Sequence, residues 1–159
     1  MTSSSLTIPS PVGPLTLQAR DGRLTAVHFG ARTPVAPSSP VLEAAAAQLA
    51  AYFAGERETF DLPLAMPEDD FQRAVCEALA EIPYGETVSY GAITAAIGRP
   101  REDVRKVGAA IGRNPFAIVV PCHRVIGADG SLVGFGGGLE RKAQLLDLES
   151  GQLRLELTG

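Results

Sequence analysis

The sequence predicts an α/β protein in two parts: a small N-terminal domain with an antiparallel sheet, and a mainly helical C-terminal domain with a helix-turn-helix. Three observations support this. Alternating apolar residues and a hairpin signal occupy residues 5–30, apolar residues at helical spacing dominate from residue 71, and an acidic, Pro-containing stretch separates the two patterns. We predict an N-terminal domain at 1–64, a linker at 65–70 and a C-terminal domain at 71–159.

The N-terminal domain is predicted to begin with a hairpin. Residues 15–17 and 24–29 alternate between apolar and polar types on either side of Asp21-Gly22, a dipeptide typical of two-residue hairpin turns. The Ala-rich run 41–53 then predicts a helix. Residues 57–64 predict one more short strand.

The C-terminal domain is predicted to contain four helices. Residues 71–80 and 139–149 each predict one, and 87–112 reads as helix, turn, helix, broken at Gly98-Arg99-Pro100 and resuming at Glu102-Asp103. A helix-turn-helix reads DNA when its second helix is exposed and basic. A plain pair of packed helices with solvated arginines is the alternative, and the pattern alone leaves both open.

Charge is unevenly distributed along the chain. The net charge of −4 over 159 residues argues against a general nucleic-acid binder. Between Arg99 and Arg124, however, six Lys or Arg side chains stand against two carboxylates. This local excess favours a small contact with a polyanion.

The composition gives no sign of a metal site, a cofactor or a membrane segment. The two cysteines and two histidines match no metal-ligand spacing, and two cysteines do not form a disulfide framework. No signal peptide is recognisable, and no apolar run reaches the ~18 residues that span a bilayer. We expect a cytoplasmic monomer without metal or cofactor.

One stretch carries reactive side chains. The apolar run 116–120 lies between the turn signal Asn114-Pro115 and Pro121, which predicts a buried strand that ends where Cys122 begins. An imidazole or a cation beside a thiol lowers its pKa, and His123-Arg124 supplies both. The alternative is a core thiol, because free cysteine is one of the most commonly buried residue types.

This stretch resembles a known active-site signature. Residues 121–125 (Pro-Cys-His-Arg-Val), the Asn114-Pro115 turn upstream and the Gly-Gly-Leu followed by Lys142 downstream resemble the O(6)-alkylguanine-DNA alkyltransferases, with similarity from Phe71 to Glu149. The resemblance implies a ribonuclease-H-like N-terminal domain. It also implies direct-reversal repair of double-stranded DNA that contains O(6)-alkylguanine, with O4 of thymine as a further candidate position.

The resemblance assigns a role to each catalytic residue. Cys122 would accept the alkyl group once and irreversibly from a base flipped out of the duplex. His123 would be its base through a water molecule, and Glu149 would orient the histidine. Asn114 would brace the turn, and Tyr90 would border the pocket and assist protonation of the leaving guanine.

The resemblance also implies a DNA-binding surface and a base pocket. Arg105 would enter the duplex and fill the space that the flipped nucleotide leaves. The DNA-binding residues implied are Arg105, Tyr90, Ser89, Arg101, Lys106 and Gly108. The base pocket implied is Val125, Phe135, Gly136 and Ile111.

Three positions depart from the family pattern: Cys76 stands where tryptophan is common, Phe135 where tyrosine is usual, and Lys106 where alanine is frequent. Two other functions remain open on the sequence alone. One is a helix-turn-helix DNA-binding regulator or lesion sensor with a structural Cys122, and the other is a cysteine hydrolase that turns over.

Overall fold

An antiparallel sheet in the N-terminal part and helices in the C-terminal part make up the fold, which confirms the predicted α/β class. The structure, a computed structural model, describes residues 3–33, 39–132 and 137–151. Among these residues, no helix has both the length and the apolarity needed to cross a bilayer.

The chain divides into two compact units. One contains Met1–Met66 together with Pro115–Val119, and the other contains Pro67–Asn114 together with Val120–Gly159. The segment Pro115–Val119 therefore belongs to the first unit, although it follows the helix-turn-helix in sequence, and the chain returns to the second unit two residues before Cys122. The domain boundaries given by the sequence pattern stay a prediction.

The sheet of the first unit contains three strands in the order β1-β2-β3, all antiparallel. They are β1 (Ser3–Ile8), β2 (Leu15–Arg20) and β3 (Arg23–Phe29). Asp21 and Gly22 both have positive φ, of 51° and 80°, as a type I′ hairpin turn requires. The hairpin predicted from the Asp-Gly dipeptide is confirmed.

Helix α1 (Pro40–Phe53) covers this sheet with its apolar face. It begins one residue before the predicted start, with Pro in the first turn, where its missing N–H costs no helical hydrogen bond. The strand predicted at 57–64 is wrong. Only Leu64 pairs there, in an isolated parallel bridge to Leu24, so this segment contacts the sheet at one residue and adds no strand to it.

The second unit begins with α2 (Asp70–Ala80). Asp69 caps it, since its side chain accepts a 2.8 Å hydrogen bond from the N–H of Gln72. The predicted helix-turn-helix follows as α3 (Tyr90–Ala96) and α4 (Val104–Gly112). Glu102-Asp103 lies in a 3₁₀ turn rather than in the second α-helix, which therefore begins at Val104.

The apolar run 116–120 does not form the predicted strand. Phe116 makes one isolated bridge to Val27, and the chain then turns at Ile118, where φ is +72°. The N–H of Val119 donates a 2.8 Å hydrogen bond to the carbonyl of Ala117, which closes a γ-turn around Ile118. β-branched residues rarely adopt this conformation, so the pattern of residue types could not reveal it.

A second tight turn leads into the reactive residues. Pro121 has φ −82° and ψ 67°, and the N–H of Cys122 donates a 2.8 Å hydrogen bond to the Val120 carbonyl, the geometry of an inverse γ-turn. A 3₁₀ turn then carries the cysteine, histidine and arginine. It is followed by β5 (Val125–Ile126), which pairs in parallel with β4 (Val88–Ser89).

The last helix, α5 (Leu139–Ser150), ends at Gly151, where φ is +75°. Its inward face contains two charged side chains besides Leu145, namely Lys142 and Glu149. Charged residues are almost never fully buried unless they are paired, so these two side chains indicate a buried polar cluster next to α5.

Candidate active site

Three elements of the second unit converge on the reactive residues. The two-residue ladder between β4 and β5 sets Val88 opposite Val125, which brings the start of α3 beside the 3₁₀ turn. Helix α5 also packs against that turn. The site is therefore assembled from segments that are distant in sequence.

Cys122 is half-buried, whereas Cys76, the other thiol, is fully buried on α2. Burial raises the pKa of the Cys122 thiol, while a hydrogen bond from the Asn114 side chain and the charge of Lys142 both lower it. Burial outweighs the other two effects. The resting residue is therefore a neutral thiol, which needs a base before it can act as a nucleophile.

His123 and Glu149 form a buried hydrogen bond, with 2.7 Å between Nε2 of the imidazole and Oε2 of the carboxylate. His123 has 0% of its side chain exposed and Glu149 has 1%. Burial, with the charges of Arg124 and Lys142, lowers the pKa of His123 more than Glu149 raises it, so the imidazole is neutral at physiological pH. The structure thus brings the predicted base and the predicted orienting carboxylate into contact.

The second imidazole nitrogen has a different environment. Nδ1 of His123 is buried and makes no hydrogen bond within the described part of the chain. A neutral imidazole that donates through Nε2 has an acceptor lone pair at Nδ1. This is the nitrogen that can take a proton.

Arg124 completes the buried cluster. Its Nε lies 2.7 Å from Oε1 of Glu149 and one terminal nitrogen lies 2.9 Å from Oε2, so the two groups pair side by side. The other terminal nitrogen donates to the Ile82 carbonyl at 2.6 Å. The Tyr84 ring lies 5.6 Å from the guanidinium carbon.

Asn114 holds the turn before the nucleophile. Its side-chain N–H donates a 2.8 Å hydrogen bond to the carbonyl of Val120, which is also the acceptor of the inverse γ-turn. The same side chain hydrogen-bonds Cys122. Asn114 therefore links the backbone of the turn to the thiol, at the place that the resemblance implies for it.

Tyr90 and Lys142 line the other side of the thiol. Tyr90 is the first residue of α3, and burial together with the charge of Cys122 raises the pKa of its phenol. Lys142 is fully buried on α5, with its Nζ 5.9 Å from the centre of the Tyr90 ring. Burial lowers the pKa of Lys142, whereas Cys122 raises it.

The predicted DNA-binding residues lie on the helix-turn-helix. Arg101, Arg105 and Lys106 are exposed. The Ser89 hydroxyl accepts a 3.1 Å hydrogen bond from the Ala92 N–H and so caps α3. Gly108 faces the Tyr90 ring; a Cβ added there would lie 3.6 Å from the ring, an ordinary contact distance.

The ring of Phe71 on α2 contacts two of the exposed cations. The guanidinium carbon of Arg99 lies 4.8 Å from the centre of the Phe71 ring, and Nζ of Lys106 lies 5.3 Å from it. Cations at such distances are attracted to the ring face. Asp103 also pairs with Arg99, at 3.4 Å.

Of the predicted base-pocket residues, two can be placed. Val125 is fully buried in β5, and Ile111 is buried on the inner face of α4. Phe135 and Gly136 lie outside the described residues. Within those residues, no group of three or more His, Cys, Asp or Glu side chains could hold a metal ion.

Two residues of this cluster, Arg124 and Lys142, have contacts that the sequence did not predict. Lys142 lay in a recognised motif without a role, and Arg124 was expected to act as a cation beside the thiol, whereas the structure pairs it with Glu149. The available signal was their charge: a lysine at an inward-facing position of α5, and an arginine directly after the histidine. Which carboxylate or thiol each one faces depends on the tertiary structure.

Two family models together match most of the chain. One, the DNA-binding domain of 6-O-methylguanine DNA methyltransferase, matches residues 70–151. The other, the ribonuclease-like domain of the same proteins, matches residues 6–66.

Individual relatives match over nearly their whole length. The chain is 49% identical to the methylated-DNA–protein-cysteine methyltransferase of Mycobacterium tuberculosis strain H37Rv, over 96% of this chain and 95% of the relative. For the protein of the same name from Methanosarcina barkeri, the identity is 47%, over 92% and 97%.

Two solved structures superpose on this chain over most of its length. The M. tuberculosis O6-methylguanine methyltransferase superposes with a TM-score of 0.85 at 47% identity, over 94% of each chain. M. tuberculosis OGT in complex with DNA superposes with a TM-score of 0.83 at 50% identity, over 92% of each chain.

Proposed function

The chain belongs to the 6-O-methylguanine DNA methyltransferase family, and from that premise we propose that Cys122 is the residue that accepts the alkyl group. The activity is direct-reversal DNA repair: an alkyl group passes from O6 of guanine in DNA to a cysteine of the protein itself. The partner is DNA. Such a transfer needs a base for the thiol, support for the thiolate and a proton for the leaving guanine.

The first step removes the thiol proton. His123 is neutral and buried, and its Nδ1 is an acceptor, so it takes the proton of Cys122 through a bridging water. Glu149 holds the imidazole by its 2.7 Å hydrogen bond to Nε2 and stabilises the imidazolium that forms. Lys142 and Asn114 stabilise the thiolate, since each favours the charged form of Cys122.

The second step forms one bond and breaks another. The Cys122 sulfur attacks the alkyl carbon, the carbon–oxygen bond breaks, and its electron pair goes to the guanine. The guanine takes a proton, a step that Tyr90 at the pocket border assists, and His123 releases the proton that it took from Cys122, so the transfer neither gains nor loses a proton overall. The products are a thioether on Cys122 and an unmodified guanine in the DNA.

The thioether on Cys122 is stable, because no group in the described part of the chain removes the alkyl carbon from the sulfur. The other thiol, Cys76, is fully buried and cannot replace Cys122 as the acceptor. Each chain therefore acts once. A regulator with a structural cysteine would transfer nothing, and a cysteine hydrolase would turn over many times.

The exposed cations of the helix-turn-helix contact the DNA. O6 of guanine lies inside the base stack, so the nucleotide must be rotated out to reach Cys122. Arg105 on α4 is exposed and fills the place that the base leaves. Arg101 and Lys106 contact phosphates, which positions the protein without reading the sequence.

The observation that carries this assignment is the buried His123–Glu149 pair beside a half-buried thiol. The test is intact-protein mass with peptide mapping after incubation with a duplex that contains one O(6)-methylguanine. One methyl group per chain on Cys122 is expected, unchanged in Cys76→Ala and lost in Cys122→Ser. Methylation of another residue, or more than one transfer per chain, would contradict the assignment.

We place the protein in the cytoplasm, because its two thiols are both free and a reducing compartment keeps them so. Fractionation of the source cells with an antibody against the protein tests this. Recovery from an oxidising compartment would overturn it.

A further inference from the structure

We infer that Arg124 is a positioning residue of the transfer reaction: by neutralising Glu149 it keeps His123 uncharged, with its proton on Nε2 and its Nδ1 available to the thiol proton. This inference rests on the proposed function, in which His123 is the base. It gives Arg124 a task that reaches the reaction only through two other side chains.

The ion pair between Arg124 and Glu149 is close and buried. Arg124 contacts both oxygens of Glu149, at 2.7 and 2.9 Å, and the side chains of the pair are only 6% and 1% exposed. Side-by-side pairing of guanidinium and carboxylate is among the strongest of charge-assisted hydrogen bonds. The third contact, to the Ile82 carbonyl, fixes the guanidinium plane.

The tautomer of His123 depends on this carboxylate. An ionised carboxylate only accepts hydrogen bonds, so the nitrogen 2.7 Å from Glu149 must carry a proton. A second proton on Nδ1 would be a buried donor without an acceptor among the described residues. The hydrogen-bond pattern therefore favours the neutral imidazole that is protonated at Nε2.

The charges around the imidazole are balanced. Glu149 and Lys142 face it from α5, Arg124 faces it from its own turn, and the Cys122 thiol precedes it. Glu149 attracts a proton to the imidazole, whereas Arg124 and Lys142 repel it. The guanidinium offsets part of the attraction of the carboxylate, so His123 is neutral before the thiol gives up its proton.

Removal of Arg124 would reverse this balance. The buried carboxylate would lose its guanidinium contact, and its attraction for a second proton on His123 would no longer be opposed by the Arg124 charge. An imidazolium has no lone pair at Nδ1 and cannot accept the proton of Cys122. The rate at a given pH would then fall, because the neutral imidazole would dominate only at higher pH.

A purely structural role for Arg124 predicts a different result. The side chain would tie the 3₁₀ turn to α5 and to the Ile82 carbonyl, and its loss would lower the thermal midpoint of unfolding. The pH midpoint of the transfer rate would stay where it is in the wild-type protein.

The first experiment uses the wild-type chain. The sequence contains only His28 and His123, so the ¹⁵N resonances of the two imidazoles can be assigned with His28→Gln. We expect a protonated Nε2 and an unprotonated Nδ1 for His123 throughout the pH range of rapid transfer. A protonated Nδ1 in that range would overturn the inference, even if no Arg124 variant folds.

The second experiment measures single-turnover transfer from an O(6)-methylguanine duplex as a function of pH in Arg124→Met and Arg124→Lys. The midpoint of the rate is expected to move to higher pH in Arg124→Met, with Arg124→Lys between it and the wild type. Where His123 binds its proton ten times more tightly, the rate at pH values well below the wild-type midpoint falls about tenfold. Arg73→Met, which removes a half-exposed cation from α2, should leave the midpoint unchanged.

An unchanged midpoint in a folded Arg124→Met variant would overturn the inference and leave a structural role. Failure of the proposed function has a separate signature, since the wild-type chain would then gain no methyl group on Cys122. The pH midpoint of Arg124→Met and the mass of the wild-type protein therefore decide the two claims independently.

Discussion

Glu149 Oε2 lies 2.7 Å from Nε2 of His123, although 26 residues separate them in sequence. The same carboxylate pairs with the guanidinium of Arg124, so one buried group holds two neighbouring side chains of the reactive turn. Position and charge state of the base thus depend on one residue near the end of α5. Changes at either end of this contact should affect both stability and reaction.

Glu149→Gln removes the charge and keeps the shape. The variant leaves the Arg124 guanidinium buried without its counter-ion, which typically costs about 3–5 kcal/mol of the free energy of unfolding. The amide also no longer fixes the proton of His123 on Nε2, so transfer should slow. Urea unfolding and single-turnover rates measure the two effects. Glu140→Gln on the exposed first turn of α5 is the control and should change neither.

Stability should decrease in acid partly because of His123. Burial holds its pKa below the ordinary value of 6.5, so the unfolded chain binds a proton that the folded chain excludes. The stabilisation is complete above 6.5 and is lost as pH falls towards the lowered pKa of the folded state. Urea unfolding on both sides of that ordinary value tests this. Burial also lowers the pKa of His28, so the measurement is made in His28→Gln, and a pH-independent free energy of unfolding there would refute it.

Lys142 should set the acidity of the nucleophile. Its charge lowers the pKa of the Cys122 thiol, so Lys142→Met should raise that pKa and slow transfer at neutral pH. Each tenfold loss of thiol acidity reduces the thiolate about tenfold at a pH below the pKa. The pH dependence of reaction with iodoacetamide in a Cys76→Ala background measures the pKa. Lys142→Arg keeps the charge, and a thiol pKa as high as in Lys142→Met would contradict an electrostatic role.

Lys106 should contact a phosphate from its place beside the Phe71 ring. Neutralising one phosphate contributes about 0.9 to the slope of log binding constant against log salt concentration, so Lys106→Ala should lower that slope by about one. Phe71→Leu keeps the apolar side chain but removes the ring face that attracts both cations, so affinity should fall with a smaller change in slope. Fluorescence anisotropy with an undamaged duplex measures both. Arg57→Ala in the first unit should leave the slope unchanged.

The elements that the sequence predicted correctly are those coded by neighbouring residues. The Asp21-Gly22 turn and the break at Gly98 depend on backbone conformations that particular residue types favour locally. The run at 116–120 was misread because its β-branched residues favour a strand, whereas the fold forces Ile118 into a positive φ.

The residues of the candidate site likewise fall into those that a local motif predicts and those that depend on tertiary packing. Cys122 and His123 were identified from a short motif, and the resemblance carried Asn114 and Glu149 with them. The pairing of Arg124 with Glu149 spans 25 residues and depends on where α5 packs, which no local pattern records.

Asn114 offers a matched pair of substitutions that separates backbone support from charge. Its side-chain N–H donates to the Val120 carbonyl at 2.8 Å and hydrogen-bonds Cys122, where it lowers the thiol pKa. Asn114→Ala removes the donor, so the thiol pKa should rise and transfer should slow. Asn114→Asp also removes the donor and adds a negative charge beside the sulfur, so the pKa should rise further.

The expected order of the Cys122 pKa is therefore Asn114→Asp above Asn114→Ala above wild type, measured by the pH dependence of iodoacetamide reaction with Cys76 replaced by Ala. The comparison of Asn114→Ala with the wild type tests the hydrogen bond to the thiol, and Asn114→Asp tests how strongly a charge at this position is felt by the sulfur. A Cys122 pKa in Asn114→Ala equal to that of the wild type would show that Asn114 acts on the turn alone.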